Sequence, residues 1–452
     1  MVCPWPRGGG RRAGALDGKK IQIVVVGGGA GGLELVRRLG ARFGRKRHDI
    51  ILIEKNRTHV WKPLLHEVAT GALDANMDEV GYGGHGARWG YRFFLGVFEG
   101  LDRDSRHVVT APMVDDEGEE IVARHRIRYD YLVMAVGSVA NDFGIPGVRE
   151  HALFLEDREQ ADRFRLKLLH ACLRASHQGE GKRDDGRVRV TIVGGGATGV
   201  ELAAELCNAA AALRNYGLET FDESSMTITL IEAGPRILPA LPEELSDAAR
   251  EELEALGVEV LTATQVSAFE KNLVRTSDGR EFPTELGVWA AGVRAPDCLA
   301  GLEGLERDRG GRLVVGPTLQ TTRDERIFAI GDCCCFVPEG EERPVPPRAQ
   351  AAHQMAETVF SNLIAMMDGR PLKGFVYRDR GSLVSLSRFS TVGSLMGNLI
   401  GGRMAIEGRL ARIAYMSLYR MHLLGIHGWV KGLALILVGH VNRIVRPRLK
   451  LH

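Results

Sequence analysis

"TIVGGGATGVELAAEL", residues 191–206, reads as a short apolar strand, a glycine-rich turn and the opening of a helix. The chain builds nearly the same object at 23–36, "IVVVGGGAGGLELV", with the leading glycines, Gly27 and Gly194, 167 positions apart. Each turn follows a β-branched run, Ile21–Val26 and Val188–Val193, and opens an amphipathic helix rich in Leu, Ala and Glu. A dinucleotide-binding fingerprint requires that strand–turn–helix context; a bare G-x-G-x-x-G elsewhere is weak. The glycines are Gly27, Gly29 and Gly32 in the first copy and Gly194, Gly196 and Gly199 in the second. The first permits the tight turn, the second lets the backbone approach a pyrophosphate, and the third lets helix pack on strand.

The next strand should end in an acid for a ribose hydroxyl. "DIILIEK" provides Glu54, 22 residues after Gly32, and "MTITLIEAG" provides Glu232, 33 after Gly199. The longer second gap is absorbed by the helix and loop of 201–225. One such turn is compatible with a plain tight loop; two, with strand, helix and acid in place, predict two dinucleotides. Glu232 favours a free 2′-hydroxyl and hence NADH, while Arg236, four residues on, could attract a 2′-phosphate.

Other repeats fit a nested arrangement. "YDYLVMAVGS" (129–138, with Gly137) and "ELGVWAAGV" (285–293, with Gly292) are each a strand running into a small-residue turn. "DERIFAIGDC" (324–333) ends in Gly331-Asp332, an acid and amides beside another cofactor segment, although an Asp after a strand is also a common helix cap. The expected fold class is α/β with two Rossmann-like dinucleotide-binding domains. The first is discontinuous, 20–145 and 288–385; the second is inserted at 146–287; residues 386–452 form a C-terminal appendage and 1–19 a disordered leader.

At 452 residues the chain is long enough for two or three domains, and 44% apolar with 26% charged residues is ordinary globular composition. The net charge of +2 hides an asymmetry: residues 401–452 carry nine Lys/Arg against the single acid Glu407. Such a tail suggests an anionic surface, membrane or nucleic acid, as partner. Seven cysteines, three of them adjacent at Cys333–Cys335, form no disulfide framework and no zinc-ligand spacing, so no metal is expected. The leader has no apolar core of signal-peptide length, and the apolar run "GLALILVG" (432–439) falls far short of the ~20 residues that span a bilayer.

Both fingerprints, together with "WKPLLHEVATG", "PTLQTTRDERIFAIGDC", "PPRAQAAHQMA" and "GSLVSLSRFSTVGSLMGNL", resemble the type II NADH:quinone oxidoreductases, single-subunit respiratory flavoenzymes that pump no protons. The C-terminal "SLYRMH…VNRIVRPRLKLH" resembles the gamma-proteobacterial form, and the likeness spans about residues 20–452. The resemblance implies FAD at the first turn, with Glu54 on its ribose, Asp332 near its ribityl chain, and Lys62 and Pro63 along the flavin. It implies NADH at the second turn with Glu232 on its ribose, and Glu201 near the flavin–nicotinamide contact. Gln350 and Gln354 resemble the pair at a quinone site, the quinone being ubiquinone or menaquinone. It further implies a peripheral, monotopic enzyme on the cytoplasmic face of the bacterial inner membrane, with a homodimer left open.

The chemistry suits these parts. NADH delivers a hydride, a quinone takes electrons singly or paired, and flavin converts between them, so the protein must present the two substrates to different regions of one ring system. If 347–360 is helical, Gln350 and Gln354 lie one turn apart on one face, with Ala349, Ala351 and Ala352 allowing close approach. Taken without the resemblance they are solvated surface amides. His353 between them is a candidate proton source or a bystander, and Glu201 is otherwise a first-turn acid favoured by the helix dipole.

Treated as one helix, 409–431 places Arg409, Arg412, Arg420, His427 and Lys431 in an arc of roughly 100°, with Leu410, Ile413, Leu418, Leu423, Leu424 and Trp429 largely off it. Gly425 and Gly428 are potential breaks. This pattern fits a helix lying on anionic lipid, and its apolar half argues against nucleic acid; a tail packed on the catalytic domains or forming a dimer contact is the other reading. Disulfide reductases need a redox cysteine pair in the first domain, and none lies between Cys3 and Cys172. Sulfide:quinone oxidoreductases also need cysteines at the flavin, ferredoxin-type reductases have no use for such a tail, and a nucleotide-dependent sensor would show no turnover. The glycine-rich "GYGGHGARWG" (81–90) has no role in this scheme.

Overall fold

The computed structural model describes residues 20–73, 79–115, 117–177, 187–213, 225–302, 304–379, 381–385, 391–397, 402–407, 420 and 423–445. The leader 1–19 lies outside the described residues.

The chain opens with β1 (Ile21–Val26), α1 (Ala30–Arg47) and β2 (His48–Glu54). A short α2 (Leu65–Thr70) and α3 (Tyr82–Trp89) lead to β3 (Arg92–Leu95) and β4 (Tyr131–Met134). The inserted unit follows as α4 (Arg158–His177), β5 (Val188–Val193), α5 (Ala197–Leu213), β6 (Met226–Ile231), α6 (Glu243–Ala255), β7 (Val258–Leu261) and β8 (Leu286–Trp289). The chain then returns through β9 (Gln320–Thr321), β10 (Asp324–Ala329) and α7 (Ala349–Met367). The tail holds β11 (Gly381–Ser385), β12 (Thr391–Gly397), β13 (Gly402–Glu407) and α8 (Trp429–Val445).

The first sheet has the order β9-β10-β4-β1-β2-β3 and is parallel except at β9. The second, β7-β6-β5-β8, is wholly parallel. Ile23–Val26 and Ile192 are buried on both faces, which is why these strands read as continuous apolar runs rather than alternating ones. In both sheets the order reverses beside the leading strand, between β1 and β4 and between β5 and β8, and ligands bind at such switch points.

Two boundaries differ from the sequence expectation. β8 pairs with β5, Val190 opposite Leu286 and Val193 opposite Trp289, so the division at 287/288 cuts a strand of the second sheet. Likewise β11 pairs with β12 and β12 with β13 in one antiparallel meander, so the tail begins at Gly381 rather than at 386. Hydrogen bonding across a sheet sets these limits more finely than the spacing of the repeated motifs on which the divisions were drawn.

α2 is short but central. Leu64, Leu65, Val68 and Ala69 join the core of the second unit with Phe164, Val200 and Leu206, wedging a first-domain helix against α4 and α5.

Candidate functional site

Both glycine turns have the same geometry. Gly27 and Gly194 sit at φ +104° and +115°, and a Cβ there would lie 2.2 Å from the Ala135 carbonyl oxygen and 2.6 Å from the Ala290 backbone. Side chains are excluded because the neighbouring strand passes directly beneath. Gly32 and Gly199 are closed by the first glycine's own carbonyl oxygen, at 1.9 and 2.0 Å. At Gly29 and Gly196, by contrast, a Cβ meets nothing within 4 Å. The protein itself demands the outer glycines, whereas the middle one keeps clear a space that no protein atom fills, as a pyrophosphate cradle requires.

The two strand-end acids match as well. Glu54 Oε2 accepts from the Gly28 N–H (2.7 Å) and Oε1 from the Asn56 N–H (3.1 Å). Glu232 Oε2 accepts from the Gly195 N–H and Oε1 from the Gly234 N–H, both at 2.6 Å. Each carboxylate is thus pinned at the turn where a ribose would lie. Arg236 donates to the carbonyls of Leu241 (2.9 Å) and Pro239 (3.2 Å), which ties its guanidinium to the following loop.

A cavity of about 2410 Å³ runs between the two units. It is lined by Gly27, Gly29, Gly32, Glu54, Lys62, Pro63, Gly137, Gly331 and Asp332 of the first unit and by Gly196, Glu201 and Gly292 of the second side. Gly194, Gly199 and Glu232 are not among the residues that line it. Gly137, Gly292 and Gly331 share a left-handed turn, with φ of 73°, 75° and 72°. Ser138 Oγ donates to Asp332 Oδ2 (2.8 Å), and Lys62 Nζ reaches the Ser138 carbonyl at 3.5 Å, joining three segments around the cavity.

Glu201, near the start of α5, is 7% exposed and faces His66 of α2, with Nδ1 3.6 Å from Oε2. Burial pushes the His66 imidazole down to about 4, so it is neutral at physiological pH. His66 was missed from sequence although "WKPLLHEVATG" contains it; its significance comes from α2 being wedged against α5.

Residues 21–356 match the pyridine nucleotide-disulphide oxidoreductase family. The type II NADH:quinone oxidoreductase of Haemophilus influenzae is 46% identical over 442 residues, covering 95% of this chain and 99% of that protein. That of Staphylococcus aureus is 34% identical over 401 residues, covering 86% and 93%. The chain belongs to the type II NADH:quinone oxidoreductases. Among solved structures, NDH2 from Plasmodium falciparum in complex with NADH shares the fold with a TM-score of 0.79 at 19% identity, covering 96% of this chain and 100% of that one. The sulfide:quinone oxidoreductase of Aquifex aeolicus also shares the fold, with a TM-score of 0.69 at 19% identity over 94% and 95% of the chains.

As a type II NADH:quinone oxidoreductase the chain is set apart from its disulfide-reducing cousins by its cysteines. Among the described residues only Cys298 lines the cavity. Cys333, Cys334 and Cys335 are buried, the first two within the first core, and burial pushes the Cys333 thiol up to about 12. These are packing residues.

The other end of the cavity is built by α7, which carries Gln350, His353 and Gln354 as expected, starting at Ala349. Their amides are engaged. Gln350 Nε2 donates to Asp379 Oδ1 (3.2 Å) and the Gly381 carbonyl (3.0 Å). Gln354 exchanges two bonds with the Arg378 backbone, donating to its carbonyl (2.9 Å) and accepting from its N–H (3.0 Å). Both side chains line the cavity, and their amides tie α7 to Arg378, Asp379 and Gly381 along its wall.

The tail is helical over most of 423–445. Residues 408–419, with Arg409 and Arg412, and 421–422 lie outside the described residues, so the helix expected over 409–431 is described only in part. Within that part Gly428, at φ +77°, interrupts it before α8. His427 lies 6.1 Å from the His85 ring, and burial lowers its pKa. No described helix is long and apolar enough to cross a membrane. The glycine-rich 81–90 forms α3, whose His85 Nε2 lies 2.9 Å from the Ile426 carbonyl oxygen and Nδ1 2.9 Å from Tyr91 Oη.

Proposed function

We propose that this chain uses FAD to move electrons from NADH to a quinone without pumping protons, with the first glycine turn cradling FAD and the second NADH. The observation that carries this reading is the single cavity that opens on both turns and ends at α7. A bound flavin supplies the interconversion of a hydride with the electrons a quinone accepts. The protein supplies positions. Gly27, Gly29, Gly32 and Glu54 would hold the adenosine half of FAD, with Lys62, Pro63, Gly137, Gly331 and Asp332 along the rest. Gly194, Gly196, Gly199, Glu232 and Gly292 would hold NADH; the commitment of Arg236 to carbonyls supports NADH over NADPH. Glu201, a carboxylate between the two units, orients the nicotinamide.

The lipid partner is proposed from α8. Val430, Leu433 and Leu437 lie at i, i+3 and i+7 and are 86%, 57% and 62% exposed. Such a stripe seats in the acyl boundary, with basic residues of the tail on anionic headgroups at about 1 kcal/mol each. This supports a peripheral membrane enzyme, placed on the cytoplasmic face as part of the same proposal; a homodimer through the same stripe is the alternative, read by sizing in detergent.

The test is extraction from membranes, followed by the flavin spectrum and NADH oxidation with and without a short-chain quinone. A yellow protein that bleaches with NADH and recovers colour with quinone is expected; a colourless protein overturns the reading.

A further inference from the structure

The fingerprint helix α1 carries a buried acid on the side that meets α7. Glu34, two positions after Gly32, is 6% exposed. Its two oxygens are divided between two partners. Oε1 accepts from Arg38 Nε (2.8 Å) and lies 2.6 Å from Arg38 Nη2, while Oε2 hydrogen-bonds His353 Nδ1 on α7. The pairing exists because α1 and α7 approach closely at Gly31, where a Cβ would stand 2.9 Å from the Ala352 carbonyl oxygen. On its other side His353 stacks against Trp61, with centroids 5.9 Å apart and planes at 28°. Glu34, Arg38, Trp61 and His353 all line the cavity.

We propose that Glu34 is a positioning residue for quinone reduction, holding the His353 imidazole so that it hands the quinone the one proton that the reaction draws from solution. The inference rests on the quinone-reducing reading above. Reduction of a quinone by NADH takes one hydride and one proton to give quinol and NAD⁺. A bound flavin would supply the electron pair; the proton needs a donor at the quinone oxygen. With Nδ1 directed at Glu34, His353 Nε2 breaks its N–H bond as the quinol O–H forms. The ring keeps its Nδ1 proton against the carboxylate, and Nε2 takes a proton from water once quinol has left. General acids of this kind contribute about 10²–10⁴-fold.

The charged groups around His353 suit that role. From α1 come Glu34 and Arg38, and from α7 itself Glu357, whose Oε1 is 3.6 Å from Arg38 Nη1. Beyond Trp61 lies His59, which burial lowers to about 4 and which therefore stays neutral. Arg378 and Asp379 flank the other side of α7. Burial raises the Glu34 carboxyl, but its hydrogen bond and charge pairing with His353, then Arg38, outweigh that and leave it below the ordinary range in the resting protein.

The experiment compares the parent, Glu34→Gln and Glu34→Asp as flavin-loaded proteins, using a short-chain quinone and ferricyanide, which accepts electrons without protons. In Glu34→Gln, kcat for quinone should fall about tenfold or more with KM little changed. That kcat should also drop further with each rise in pH, while Glu34→Asp recovers most of the rate. Flavin bleaching by NADH and ferricyanide turnover should stay within about twofold of the parent, and nitrogen NMR of the resting protein should show the His353 Nδ1 signal moved. Equal loss with both acceptors, or unchanged quinone reduction in Glu34→Gln, overturns the inference alone. A parent that bleaches yet ignores quinone overturns the functional reading along with it.

Discussion

Glu201 and His66 show what one buried pair implies. Glu201 meets a neutral imidazole at the junction of the two units. Glu201→Gln should therefore alter the charge-transfer absorbance of reduced enzyme with NAD⁺ and lower kcat about tenfold; an unchanged spectrum and turnover would retire the role. His59, His66 and His85 are all lowered by burial to about 4 from the ordinary 6.5. Between those values the unfolded chain binds protons that the fold refuses, so stability declines on acidification through that window. The loss is roughly 3 kcal/mol per histidine once pH falls below 4. Thermal melts should move steadily downward from pH 7 to pH 5; a flat melting temperature contradicts the buried, neutral assignment.

At the scale of elements, the glycine turns separate folding from binding. A Cβ at Gly29 or Gly196 meets no protein atom within 4 Å, so Gly29→Ala and Gly196→Ala should fold, the first colourless and the second yellow but unbleached by NADH. Gly32→Val runs into the Gly27 carbonyl oxygen at 1.9 Å and should fail to fold, as expression and circular dichroism will show. Both turns were legible in the sequence because strand, glycines, helix and acid are close together in it. α2 was not, since six residues are too few to show a helical period and its partners lie more than ninety positions away. The Glu34–His353 contact joins positions 319 apart, beyond any local pattern. α3 hid behind its glycines, which propensity disfavours in a helix. Gly86 is required there because a Cβ would meet the Tyr91 ring at 2.9 Å, so tertiary packing overrides propensity.

Across the whole molecule, basic charge and exposed apolar surface gather in the tail. Leu433→Ser with Leu437→Ser should sharply reduce co-flotation with anionic vesicles while leaving the flavin spectrum intact; undiminished flotation would move the lipid contact elsewhere. α3 also bridges distant parts. Tyr82 at its start donates to the Gly28 carbonyl in the first glycine turn (2.8 Å), and His85, one turn on, meets the Ile426 carbonyl before α8. The C-terminal segment thus acts as a brace on the nucleotide pocket. Clipping the protein ahead of Ile426 strands a buried imidazole without its acceptor, so proteolytic removal of that segment should also hasten escape of the yellow prosthetic group.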